Sequence, residues 1–137
     1  MVIRDDQGLV IASLVHQICQ AYKLIEIEAV AATWALEFGL EIGIDKVVVE
    51  GDSITVVSAM EKDDVGLAPF RFLVKDGIGF AHFFSQLTYS HTKREGNKVA
   101  HSLAMLAINY LDYVVWMEDV PPQVRSIILA DLPVLSW

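Results

Sequence analysis

Lys46-Val47-Val48-Val49-Glu50-Gly51-Asp52-Ser53 is the stretch from which the rest of the chain is best read. Three consecutive β-branched valines favour a strand over a helix, and the unbroken apolar run suggests a strand buried within a sheet. Gly51-Asp52-Ser53 punctuates it, and a helix is expected from Ile54 to Lys62. A carboxylate at the carboxyl end of such a strand sits at the edge where open α/β sheets bind ligands. Asp is also a favoured helix N-cap, so Asp52 is either a ligand-binding group or a cap.

Upstream, Ile25–Ile42 has helical periodicity. Glu26, Val30, Thr33, Glu37 and Glu41 share a stripe that reads as the solvent face. Glu28, Ala31, Ala32, Ala35 and Phe38 share another, whose alanines suit close packing on a sheet. On that stripe Glu28 is either a carboxylate held by a partner or a metal, or a half-exposed first-turn residue complementing the helix dipole. Gly43 is the expected stop. Further upstream, Val2-Ile3-Arg4, the turn Asp5-Asp6-Gln7-Gly8 and Leu9–Val15 read as a hairpin, with Gly8 supplying a positive φ.

Downstream, Leu67–Phe84 reads as a helix weakened by Gly77 and Gly79. Gln86–His91 alternates as a half-buried strand, and Asn97–Leu111 is an amphipathic helix with Val99, Leu103, Leu106 and Tyr110 on its apolar side. After Val114, Pro121-Pro122 and Pro133 suggest a loop with a short helix near Val124–Ala130. The expected order is β-β-α-β-α-α-β-α, a mixed α/β domain over residues 1–118 with a tail over 119–137.

The 137 residues suit one domain with a substantial core. A hydrophobic share of 54% with 20% charged residues marks a globular chain rather than a disordered one. No apolar run reaches the ~18–20 residues that span a bilayer, and Met1-Val2-Ile3-Arg4-Asp5-Asp6 lacks the layout of a secretory signal. Cys19 is the sole cysteine, so no internal disulfide or cysteine zinc site is possible. A cytosolic or nuclear setting is expected. The net charge of −8 is a poor footprint for a stand-alone nucleic-acid binder.

One basic cluster stands against that acidity: His91-Thr92-Lys93-Arg94-Glu95-Gly96-Asn97-Lys98. Between a strand and a helix it either touches phosphate or forms a solvated loop with Asn97 as N-cap. His101, one turn into the helix, is either a hydrogen-bonded structural residue beside Val99 and Leu103 or a functional one.

Taken in order, these segments resemble a known family. Val2-Ile3-Arg4-Asp5-Asp6-Gln7-Gly8 is similar to the second-to-third strand hairpin of plant ribonuclease H-like domains derived from reverse-transcriptase elements. Glu28-Ala29-Val30-Ala31-Ala32-Thr33-Trp34-Ala35-Leu36 resembles that family's first helix, and Val49-Glu50-Gly51-Asp52-Ser53 its fourth strand and metal-binding aspartate. Arg94-Glu95-Gly96-Asn97-Lys98-Val99-Ala100-His101-Ser102-Leu103-Ala104 resembles its last conserved helix, and Trp116-Met117-Glu118-Asp119-Val120-Pro121-Pro122 a tail common among plant members. The resemblance spans roughly residues 1–122.

The resemblance implies a mixed sheet flanked by helices and cleavage of the RNA strand of an RNA–DNA hybrid by two divalent cations, Mg²⁺ or Mn²⁺. It implies that Glu28 and Asp52 are metal ligands and, with His101, catalytic residues. It places Lys93, Arg94, Asn97 and Lys98 near substrate phosphates. Two departures stand out. The family's first, central strand, with its Asp-Gly motif, has no counterpart, and its last acidic position is His101, a neutral ligand that suits Mg²⁺ poorly. Hydrolysis is therefore expected to be impaired, and a catalytically degenerate binding or protein-interaction module is the alternative. A missing central strand also leaves open edges on the strands starting at Val2 and Lys46, which invite a homo-oligomer or a strand-donating partner. A shortened gene reading, a fragment and a protomer that borrows a strand all fit.

Overall fold

The computed structural model describes residues 1–18, 23–62, 71–93, 97–110 and 112–131. They form five strands and five α-helices, in the order β1 (Val2–Arg4), β2 (Val10–Val15), α1 (Leu24–Glu41), β3 (Lys46–Gly51), α2 (Ile54–Glu61), α3 (Arg71–Ala81), β4 (Gln86–His91), α4 (Lys98–Leu106), β5 (Val114–Met117) and α5 (Arg125–Asp131). The chain divides into two compact units, one of Met1–Cys19 with Asn97–Trp137 and the other of Gln20–Gly96.

In the first unit the sheet order is β1-β2-β5, with both pairings antiparallel. The hairpin between β1 and β2 follows from its turn chemistry. The Asp5 carboxylate accepts from the backbone N–H groups of Gln7 and Leu9, both at 2.9 Å, while Gly8 takes φ 83°. β5 is a strand where the sequence suggested a loop. It is only four residues long and lies close to Pro121-Pro122, so its signal is weak, yet Val114 and Val115 pair with Val15 and Leu14. Trp116 packs edge-on to Tyr110 at 5.8 Å. The core joins Val15, Val99, Leu103, Val120, Val124 and Ile128, so residues beyond 118 contribute to the same core as β2 and α4. Buried Ser13 is accommodated because its hydroxyl donates to the Asp119 carbonyl at 2.8 Å.

The second unit holds the parallel pair β3–β4, in register from Lys46↔Gln86 to Gly51↔His91. The Asp45 carboxylate fixes the start of this ladder by accepting from the Ser85 hydroxyl at 2.7 Å. Its core is built from Ala29, Leu36, Val56, Met60, Val74 and Phe84, with Val47 and Val49 packed against them. β3 is not buried on both faces as its valines suggested. Val47 and Val49 face the core, whereas Val48 is 59% exposed and Lys46 and Glu50 are exposed.

The buried stripe of α1 also differs from the expected one. Ala29, Thr33 and Leu36 are buried, Ala31 is exposed, and Glu28 is half-buried. Thr33 can be buried because its hydroxyl donates to the Leu73 carbonyl at 2.8 Å. Gly77 on α3 makes this approach possible, since a Cβ there would stand 2.6 Å from Thr33 Oγ1. The glycine that weakens the helix on propensity is thus what lets α1 and α3 meet. Gly43 ends the α1 turn at φ 84°, as expected. Helix α4 stops at Leu106 and tightens into a 3₁₀ turn over Ala107–Asn109, short of the expected Leu111. The part of the expected Leu67–Phe84 helix before residue 71 lies outside the described residues.

Candidate active site

Glu28 lies near the start of α1 and Asp52 directly follows the carboxyl end of β3. Both belong to the second unit, and both are half-buried.

Asp52 is not the cap of α2. Ser53 is the N-cap, its hydroxyl accepting from the Val56 N–H at 3.4 Å. Asp52 stands one residue before that cap. Glu28 likewise stands outside the capping of α1, where Glu26 reaches back to the Lys23 N–H at 3.2 Å.

His91, expected only as the first residue of the basic cluster, meets the Asp52 turn. It closes β4 opposite Gly51, and its Nε2 lies 3.2 Å from the Asp52 carbonyl oxygen. The tautomer with the proton on Nε2 donates to that oxygen and ties the Asp52 turn to β4. The signal that could have found it is the parallel register, which aligns the ends of the two strands.

Lys93 is exposed just after β4, where a phosphate could reach it. Arg94 lies outside the described residues. Asn97, Lys98 and His101 belong to the first unit, around the start of α4. Asn97 is the N-cap residue but makes no side-chain capping bond. Lys98 and His101 are exposed, while Val99 and Leu103 between and beyond them are fully buried. His101 is thus not a packed structural histidine, because the helix turns it away from the core that its neighbours enter.

An open hollow of about 300 Å³ lies between α2, α3 and β4, lined by Met60, Ile78, His82, Phe84 and Leu87 among others. Neither Glu28 nor Asp52 lines it. Among the described residues no group of three or more His, Cys, Asp or Glu side chains could hold a metal ion. Carboxylate oxygens such as those of Glu28 and Asp52 are the donors that Mg²⁺ prefers, and a two-metal clamp draws on several of them.

The family described as reverse transcriptase-like matches residues 1–107. The chain belongs to that family. This reverse transcriptase-like domain is also similar to a solved structure, the crystal structure of RNase H1 from the halophilic archaeon Halobacterium salinarum NRC-1. The two align with a TM-score of 0.59 at 24% identity, over 64% of this chain and 67% of that one. At that identity the likeness establishes the fold, which is the ribonuclease H-like α/β fold expected from the sequence. No curated protein matches the chain. No helix among the described residues of this reverse transcriptase-like domain is long and apolar enough to cross a membrane.

Proposed function

We propose that this chain is a ribonuclease H-like nucleic-acid-binding domain whose hydrolytic centre is reduced. The observation that carries this reading is the reverse transcriptase-like family match over residues 1–107, joined by the half-buried carboxylates Glu28 and Asp52 and by the lack, among the described residues, of any group of three or more metal-ligating side chains. In this reading Lys93, Arg94 and Lys98 contact phosphates of an RNA–DNA hybrid or a related nucleic acid. Asn97 adds a polar contact. Mg²⁺ or Mn²⁺, where bound, offsets the repulsion between phosphates and a chain of net charge −8. Glu28 and Asp52 would hold the cation through carboxylate oxygens, and it would supply charge neutralisation of the phosphate.

His91 keeps the Asp52 turn in place, and His101 presents an exposed imidazole that carries no negative charge at neutral pH. Hybrid cleavage, an endonuclease's hydrolysis, is accordingly weak or absent in this reading. The lone cysteine Cys19 fits a reducing cytosolic or nuclear setting.

The test is equilibrium binding of a labelled RNA–DNA hybrid across a salt series, with Lys93→Ala and Lys98→Ala alongside. Affinity should fall with rising salt, and each substitution should weaken binding and flatten the salt dependence by about one phosphate contact. Binding indifferent to salt and to both substitutions would defeat the proposal. A second reading, a protein-interaction module, is favoured by one observation: no described strand pairs with the outer edge of β3.

A further inference from the structure

The two glycines of α3 face opposite ways. Gly77 is buried against Thr33, whereas Gly79 is exposed and a Cβ on it would meet nothing within 4 Å. A glycine inside a helix weakens it relative to alanine, and no described neighbour of Gly79 requires the small residue. At about 100° per residue, Phe72, Lys75, Asp76, His82 and Phe83 all lie within about 60° of the direction in which Gly79 points. The winding continues past Ala81, since the Phe83 N–H donates to the Phe80 carbonyl at 3.0 Å and the Phe84 N–H to the Ala81 carbonyl at 3.3 Å. All five flanking residues are exposed, Phe72 by 68% and Phe83 by 76%. Among the described residues neither Lys75 nor Asp76 has an ion-pair partner.

The stripe has two unlike flanks. Lys75, Ile78 and His82 lie on one side of the Gly79 line, and Asp76 and Phe83 on the other. The hollow lined by Ile78, His82, Phe84 and Leu87 adjoins the first flank. A second α3 can be laid on this face as either of two twofold pairs. An antiparallel pair brings like flanks together, setting Lys75 beside the partner's His82 and Asp76 beside the partner's Phe83, so no charge finds its opposite. A parallel pair brings unlike flanks together at equal heights. Lys75 then meets the partner's Asp76, Asp76 meets the partner's Lys75, and Gly79 meets Gly79 of the partner subunit. With no side chain at the crossing point, the helices can approach closely. Each Phe83 is carried to the partner's His82 and the rim of the hollow, an open space of about 300 Å³ whose apolar lining suits a phenyl ring.

We propose that the outer face of α3 is a self-association surface. On it α3 of a second copy packs in parallel across Gly79, with Lys75 against the partner's Asp76 and Phe83 beside the partner's His82. The interface is isologous, so every contact is made twice. It covers Phe83, the most exposed large apolar side chain among the described residues, and it gives the open side of Gly79 a neighbour. One helix pair with two seated rings is a small interface, so the dimer is weak, with a Kd on the order of 10–100 μM.

The test is sedimentation equilibrium of the full chain from about 5 to 500 μM, which spans that range. The unmodified chain should dimerise. Gly79→Leu fills the crossing point without entering the chain's own interior and should weaken the dimer about tenfold or more. Phe83→Ser, which removes the seated ring, should weaken it too. Lys75→Asp and Asp76→Lys each oppose like charges twice and should do the same. The double exchange Lys75→Asp/Asp76→Lys should restore the dimer, because the parallel register pairs these two positions with each other. Circular dichroism of each variant separates a lost interface from a lost fold. A monomer throughout the range overturns the proposal, whether the face stays bare or is taken by a different protein. So does a dimer indifferent to Gly79→Leu, or one that the double exchange leaves as weak as the single reversals.

Discussion

The two sheets of this molecule solve the same problem differently. In the first unit β1, β2 and β5 form an antiparallel sheet closed locally by a hairpin and by a late strand returning to β2. In the second, β3 and β4 run parallel, joined through α2 and α3, and one face of the pair remains open. Antiparallel strands can satisfy one another through short turns, whereas a parallel pair needs a long crossover and cover on both faces. Helices α1, α2 and α3 supply that cover on one face only. The first unit thus closes its pairings through local turns, while the unit bearing Glu28 and Asp52 leaves Val48 of β3 exposed.

Core truncation gives the largest effects expected from this contrast. Leu103 and Leu36 anchor the two separate cores at 0% and 2% exposure. Replacing either with Ala should cost about 2–5 kcal/mol in urea unfolding. A much smaller cost at Leu36 would mean that the second unit is less tightly packed than its burial indicates.

The next effect depends on pH and belongs to the first unit. The Met1 amine donates to the Leu14 carbonyl at 2.7 Å, and burial pushes its pKa down from 8.0 to about 5. Between those values the unfolded chain holds a proton that the folded chain has shed. Stability should therefore rise from about pH 5 to pH 8 and level off above it, by on the order of 2–4 kcal/mol. Thermal melts of the 137-residue chain and of its N-acetylated form check this, because acetylation removes the titrating amine and should abolish the step.

A smaller effect probes the helix contact of the second unit. Gly77→Val drives a side chain into Thr33 and should cost about 1–3 kcal/mol. Gly79→Ala has open space around it and should be neutral or stabilising by up to about 1 kcal/mol. Equal costs at the two glycines would contradict the close α1–α3 approach.

The smallest effect is at the surface of the first unit. Arg125 donates to the Asp119 carboxylate at 2.9 Å and holds its pKa below the ordinary 3.8, aided by the Val120 N–H. Arg125→Ala should raise that pKa towards the ordinary value, as read by an NMR titration. Because the folded pKa is the lower one, whatever stability the pair adds is present at neutral pH and fades as pH falls through it.

Strong local signals made much of this fold legible. The Asp5–Gly8 turn, the Gly43 stop and the alternation of Gln86–His91 depend on nearest-neighbour chemistry and are found as read. Legibility failed where long-range packing decides. Thr33 read as a solvent residue because its carbonyl partner, Leu73, lies on another helix. Val114–Met117 read as a loop because four residues carry little periodicity, and only β2 makes them a strand. Lys46–Glu50 read as fully buried because consecutive valines do not reveal which face finds a neighbour.

The site divides the same way. That Asp52 follows a strand was legible, whereas the capping of α2 rests on the Ser53 hydroxyl and the tie of the Asp52 carbonyl to His91 on the register of β4.

The most direct test of the account is a cleavage assay under conditions where the hybrid is bound. Labelled RNA–DNA hybrid, saturated with the full chain in Mg²⁺ or Mn²⁺, is followed beside an Asp52→Asn variant. The account predicts a bound hybrid with little or no cleavage, and no material difference between the two proteins in strand breaks. Rapid metal-dependent cleavage by the unmodified chain, abolished by Asp52→Asn, would contradict it and show that the carboxylates of this chain suffice for hydrolysis.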